Sequence, residues 1–149
     1  MIDHAQIINR CSDKAENVGW AALTDIERVI VLVSWVNFEV DLGGLNTFYY
    51  NSAGNRAVET AAALDEVGAC KAAAAIRAAN AIFPGGAPPS DWGLRCDALR
   101  MLEEPAGRWD SLQGAYYEDE RYVFDNLCSY IEKHAGELME HSQRDKGNF

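Results

Sequence analysis

One stretch limits what this chain can fold into. Thr24, Asp25, Ile26 and Glu27 form a capping box. The threonine hydroxyl can accept the N–H three residues on, and the glutamate can reach back to the Thr24 N–H. From there Ile26, Val29, Ile30, Val33, Val36 and Val40 recur at helical spacing, while Val31, Leu32, Trp35 and Phe38 fill much of the opposite side. A helix apolar nearly all round is one that the rest of the molecule must wrap. The β-branched run Val29 to Val33 would also suit a strand, but the capping box and the length favour a helix to about Leu42. Gly43 and Gly44 then supply the left-handed conformation that ends a helix.

The flanking segments read as further helices. Ile2 to Val18 places Ile7, Ile8, Cys11 and Ala15 on one face, with Asp3 as N-cap. Leu45 to Tyr50 is a short helical or irregular aromatic segment, and Asn51 to Gly54 a turn. Helices are expected over Arg56 to Val67, closed by Gly68, and over Lys71 to Phe83, closed by Pro84, Gly85 and Gly86. Ala72, Ala75, Ile76, Ala79 and Phe83 share one stripe, and the many alanines let helices approach closely. After the stiff Ala87-Pro88-Pro89 connector, Ser90 caps a helix to about Leu102, and 103–110, with Pro105 and Gly107, reads as a loop. Phe124, Leu127, Ile131, Ala135 and Leu138 mark one long C-terminal helix, ending in a frayed polar tail at 141–149. The expectation is all-α: a compact single-domain helical bundle of about six or seven helices around a buried central helix, spanning 1–149.

The hydrophobic fraction, 48%, suffices for a core. Cys11, Cys70, Cys96 and Cys128 include no C-x-x-C pair and read as small buried hydrophobes in a reducing compartment. The first ten residues hold no continuous apolar run, and the run from Val29 to Val36 is too short to span a bilayer. A cytoplasmic location is expected.

The formal net charge is −10. This sign repels nucleic-acid phosphates and anionic lipids and attracts basic proteins. The surplus is concentrated. Glu103, Glu104, Asp110, Glu118, Asp119, Glu120, Asp125, Glu132, Glu137 and Glu140 face only Arg108, Arg121 and Lys133 in the same stretch. Carboxylates on a rigid helix stand about 5–6 Å apart at three- or four-residue spacing. Phosphates on one DNA strand advance about 3.4 Å each, a loose match that long basic side chains can bridge. The blander alternative is that these acids only solvate the surface, with Glu118 to Glu120 forming the favourable first turn of a helix.

No catalytic constellation emerges. G-x-S-x-G, G-x-G-x-x-G and P-loop patterns are absent. Cys128 and His134 are six residues apart and fall on different helix faces, so no thiol–base pair is formed. His134, Glu137 and His141 could share a helix face and hold a metal, which would make an enzyme or metal-binding protein the alternative. No cofactor, metal or catalytic residue is expected.

Two motifs carry a family likeness: Glu39-Val40-Asp41-Leu42-Gly43-Gly44, and Phe48-Tyr49-Tyr50-Asn51-Ser52. With Leu64, Gly68-Ala69, Ala79 to Pro84 and the paired tyrosines of Leu112 to Tyr117, the stretch 24–131 resembles the bacterial DNA-mimic protein family. Asp41-Leu42 departs from that family's usual polar pair, and Gln113 stands where it commonly has aspartate. The resemblance implies a small acidic all-helical domain that works by binding. At least one member imitates DNA to occupy a transcription regulator's DNA-binding face.

The motif residues themselves read as structural. Glu39, near an unfavourable helix end, needs a donor: a backbone N–H after Gly44, or the Asn46 or Asn51 side chain. Phe48, Tyr49 and Tyr50 read as core anchors, and Asn51 as a turn residue that tolerates left-handed geometry. The functional expectation is a non-catalytic acidic inhibitor that binds a basic protein, a DNA-binding regulator in the first instance. The alternatives are an immunity protein bound to a toxin, the metal or enzyme reading on His134 and His141, and a plain scaffold. Neither nucleic acid nor membrane is an expected partner, and monomer and homodimer both remain open.

Overall fold

The computed structural model describes residues 2–102 and 105–147. Among them are eight α-helices and no strand: α1 (His4–Asn17), α2 (Asp25–Tyr50), α3 (Ala57–Glu66), α4 (Cys70–Asn80), α5 (Trp92–Met101), α6 (Pro105–Tyr116), α7 (Val123–Lys133) and α8 (Ala135–Gly147). The all-helical expectation holds, with eight helices instead of six or seven.

α2 organises the packing. It lies against α1, α3, α5, α6 and α7. By length and hydropathy alone it could cross a membrane, so the expectation that no segment is long enough for this is corrected; here it is the core helix, with Ile30, Val31, Val33 and Val36 wholly buried. The capping box is present: Glu27 N–H donates to Thr24 Oγ1 at 3.2 Å, and Thr24 N–H to Glu27 Oε1 at 3.0 Å. Glu27 is itself buried, and Lys14 from α1 reaches it at 3.2 Å while also reaching Asp145 of α8 at 3.1 Å. A buried carboxylate without such partners would cost several kcal/mol, of the order of 3–5. The expected apolar coat is incomplete, since Phe38 and Leu42 are about two-thirds exposed.

The glycine pair does break α2. Gly44 has φ +84°, and the chain re-enters helix at Leu45. This places Leu45, Phe48 and Tyr49 in the core. Tyr49 stacks obliquely on Phe48, Phe83 and Trp109 at ring separations of 5.0, 4.9 and 5.3 Å. Its hydroxyl donates to Asn80 Oδ1 at 2.7 Å, and Asn80 Nδ2 donates to the Ala57 carbonyl at 3.1 Å, so this aromatic cluster also locks α3 to α4. The alanine faces of α3 and α4 meet as expected; Ala72, Ala75, Ile76, Ala79 and Phe83 are all buried.

Four expectations need correction. Asp91, not Ser90, caps α5, accepting the Leu94 N–H at 2.9 Å. The expected loop at 103–110 is in large part helix: α6 starts at Pro105, because proline suits a first turn whose N–H groups have no partner. The long C-terminal helix is two, broken at His134 (φ −106°, ψ 15°). The buried stripe of α7 is therefore Val123, Leu127, Tyr130 and Ile131, which leaves Phe124 about half exposed and Ala135 half-buried. The polar tail is helical through Gly147, where Asp145 pairs with Lys14. The cysteines are free; Cys11 and Cys96 are buried, Cys128 is half-buried and Cys70, at the start of α4, is exposed.

Candidate functional site

The acids fall into two populations that composition does not separate. In the first hundred residues nearly every one is engaged. Asp3 and Asp91 cap helices. Asp25, Glu59, Asp65 and Asp97 pair with Arg28, Arg56, Arg77 and Arg100. Glu27 holds Lys14, Glu39 accepts from Asn51, and Asp41 accepts from Tyr117. Asp13, Glu16 and Glu66 are the exceptions among the described residues.

The acids from α6 onward behave differently, and Glu118, Asp119 and Glu120 lie in the connection between α6 and α7, not in the first turn of a helix as expected. Asp110, Glu118, Glu120, Asp125, Glu137 and Glu140 are exposed, and among the described residues none of their carboxylates makes an ion pair or hydrogen bond. Two of the expected set are committed internally. Asp119 accepts the Lys71 and Ala72 N–H groups at 3.2 and 3.1 Å and so caps α4 across a long sequence separation. Glu132 lies 2.9 Å from His4 Nε2. Glu103 and Glu104 fall outside the described residues.

Two sub-clusters are recognisable by the groups they act upon. Asp125 and Glu132, seven residues apart on α7, flank Cys128; burial, then these two charges, push its thiol pKa up despite nearby Arg121. Across the helix, Tyr130 is pushed up to about 12, by burial and then by Glu66, Glu137 and Asp25. The negative field therefore draws on α3 and the start of α2 as well as on the C-terminal helices. Glu66 is an addition that the sequence reading missed, because it comes from a segment whose local charge is nearly balanced; Asp25 is already paired with Arg28.

The motif residues build the docking of α6 on α2. Asn51 Nδ2 donates to Glu39 Oε2 at 2.7 Å, one of the expected partners for that carboxylate. Asn51 is extended (φ −97°, ψ 169°) and not left-handed. Tyr116 donates to Asn37 Oδ1 at 3.2 Å and Tyr117 to Asp41 Oδ1 at 2.5 Å, one turn apart on α2. Gln113 Oε1 accepts the Leu45 N–H at 3.2 Å where α2 restarts. Asp41 and Gln113 thus keep a polar role in this docking, whereas Leu42 is exposed.

Sequence reading missed Arg95, which is completely buried. Its guanidinium donates to the carbonyls of Tyr49, Pro89, Ser90 and Asn51 and to Asn55 Oδ1, at 2.7 to 3.2 Å. Burial lowers its pKa. Among the described residues no carboxylate pairs with it, so no charge pattern in the sequence pointed to it.

The candidate metal set is not assembled. His134 closes α7 and stacks on Tyr130 at 4.4 Å, while Glu137 and His141 belong to α8 beyond the break. Among the described residues no group of three or more His, Cys, Asp or Glu side chains could hold a metal ion.

The chain is all-helical and acidic, and among the described residues most of its unpaired carboxylates lie from α6 onward. Residues 21–134 match the model of the DMP19-like protein family, and the chain belongs to that family. This is the DNA-mimic family that the glycine-pair and aromatic-asparagine motifs resemble. Comparison with curated proteins and with solved structures returned no match.

Proposed function

We propose that this protein is a non-catalytic, cytoplasmic inhibitor that presents its C-terminal carboxylates to a basic protein surface, one that ordinarily holds nucleic acid. The observation that carries this reading is that, among the described residues, Asp110, Glu118, Glu120, Asp125, Glu137 and Glu140 have unpaired carboxylates, against the internal pairing of most other acids. An exposed acid already paired with a neighbouring arginine offers a partner little, because a new contact must break the old one. Asp110, Asp125, Glu137 and Glu140 stand on helices and Glu118 and Glu120 in the connection between α6 and α7; an unpaired carboxylate there is still able to make charge-assisted hydrogen bonds with Arg or Lys. Membership of a DNA-mimic family supports the choice of a nucleic-acid-binding face as the target.

The test is capture from the source cell by immobilised protein at low salt, followed by elution with a DNA duplex. A DNA-binding protein released by the duplex supports the reading. A bound protein that the duplex leaves in place, such as a toxin neutralised elsewhere on its surface, overturns the mimicry.

A further inference from the structure

A second recognition element lies away from the C-terminal acids. Between α1, α2 and the turn that follows α2 is a cleft of about 310 Å³ lined by Glu16, Trp35, Phe38, Glu39, Ser52 and Ala53. This is near the lower bound of about 300 Å³ for ligand pockets, so it suits one side chain better than a whole metabolite. Two rings and two carboxylates line it, and among the described residues no cation does. Glu16 is exposed and, among the described residues, makes no ion pair; Glu39 has one oxygen on Asn51. Phe38 is 64% exposed although it sits on the core helix, and Leu42, one turn on, is 67% exposed.

The molecule shows elsewhere what satisfies such a combination. Arg56 places its guanidinium 4.0 Å from the centre of the Trp20 ring and pairs with Glu59 at 3.2 Å. The cleft at Trp35 offers the same indole and carboxylate without the arginine. The geometry points to this cleft as a socket for an arginine side chain of the basic partner, stacked on Trp35 and Phe38 and held by Glu16 and Glu39. Guanidinium is preferred to ammonium because its plane stacks on rings and its fork can meet a carboxylate. Buried aromatic and arginine contacts of this kind dominate many protein interfaces, whereas exposed rim charges contribute less. The inference rests on the reading that the partner is basic, but it concerns a separate surface.

The probe is an acetylated, amidated tri-arginine peptide titrated into the isotope-labelled protein, followed by NMR. The Trp35 indole and the Ser52 and Ala53 amides should shift saturably. Phe38→Ala and Glu16→Gln should each weaken the binding about fivefold. A tri-lysine peptide should bind more weakly. The assignment is overturned by equal affinity for tri-lysine, by shifts insensitive to Phe38→Ala and Glu16→Gln, or by no saturable shift at all. It is also overturned by concentration-dependent broadening at these residues without peptide, which would seat a second copy there. Each failure leaves capture through the C-terminal acids intact, so the two readings fail separately.

Discussion

The amide of Gln113 lies directly over Gly44. A Cβ built on that glycine would stand 2.3 Å from Gln113 Oε1, the same oxygen that accepts the Leu45 N–H. The kink in the core helix and the side chain that heals it are therefore one unit. Gly44→Ala should destabilise the fold by more than about 2 kcal/mol, because φ 84° with ψ −173° is a conformation essentially confined to glycine, strained by about 1–3 kcal/mol in other residues, and because the Gln113 amide must leave its hydrogen bond to make room. Gly68 has the same φ of +84° but open space around it, so Gly68→Ala should cost only the conformational part. Denaturant titration of both variants checks this; equal losses would show that the Gln113 contact is idle.

Arg95 makes five hydrogen bonds, four of them to backbone carbonyls. Arg95→Met keeps much of the volume but strands those acceptors, each worth about 1–3 kcal/mol when buried and unpaired. A loss of at least about 3 kcal/mol is expected in thermal or denaturant unfolding. Because Arg95 ties the end of α2 to the Pro89-Ser90 connector, hydrogen exchange should quicken first at α5.

Lys14 sets the alkaline limit. Burial works against its ammonium, but hydrogen bonds to Asp145 and Glu27 outweigh burial and raise its pKa above the ordinary 10.5. A raised folded-state value means that this stability is complete below 10.5 and fades as pH climbs through the folded value. Burial also raises the phenols of Tyr49 and Tyr116, with the same sign. The melting temperature should fall between about pH 10 and about pH 12. Lys14→Met should be less stable at neutral pH and lose part of that slope. A melting temperature that rises with pH across this range would contradict the assignment.

Thiol labelling separates the cysteines. Cys70 is exposed and should react first in the native protein. Cys128 should follow slowly, its thiolate disfavoured by burial, Asp125 and Glu132. Cys11 is pushed up to about 11 by burial and then by Glu27. It and Cys96 should react only on unfolding. Early labelling of Cys11 would mean that α1 detaches from α2.

Local signals made α2 legible. The capping box, the apolar run and the glycine pair are each written within a few residues, and Phe48 and Tyr49 are large enough that only the core can hold them. Glu39 was legible because a carboxylate at that helix position demands a donor nearby in the chain. What escaped depends on distant partners. Asp119 looks like one more surface acid until α4 arrives to be capped. The break at His134 leaves no proline or glycine mark at its own position, and missing it misplaced Phe124. The acidic site was legible as a count of charges; which of them remain free depends on where the arginines fold back.

The most direct test concerns those free carboxylates. Affinity for the captured basic protein should be measured against salt for the wild type and for a variant with Glu118, Glu120, Asp125, Glu137 and Glu140 changed to their amides. Wild-type binding should weaken at least about tenfold between about 50 and about 200 mM salt, and the variant should bind weakly with a much shallower dependence. Equal affinity and equal salt dependence for the two proteins would contradict the account.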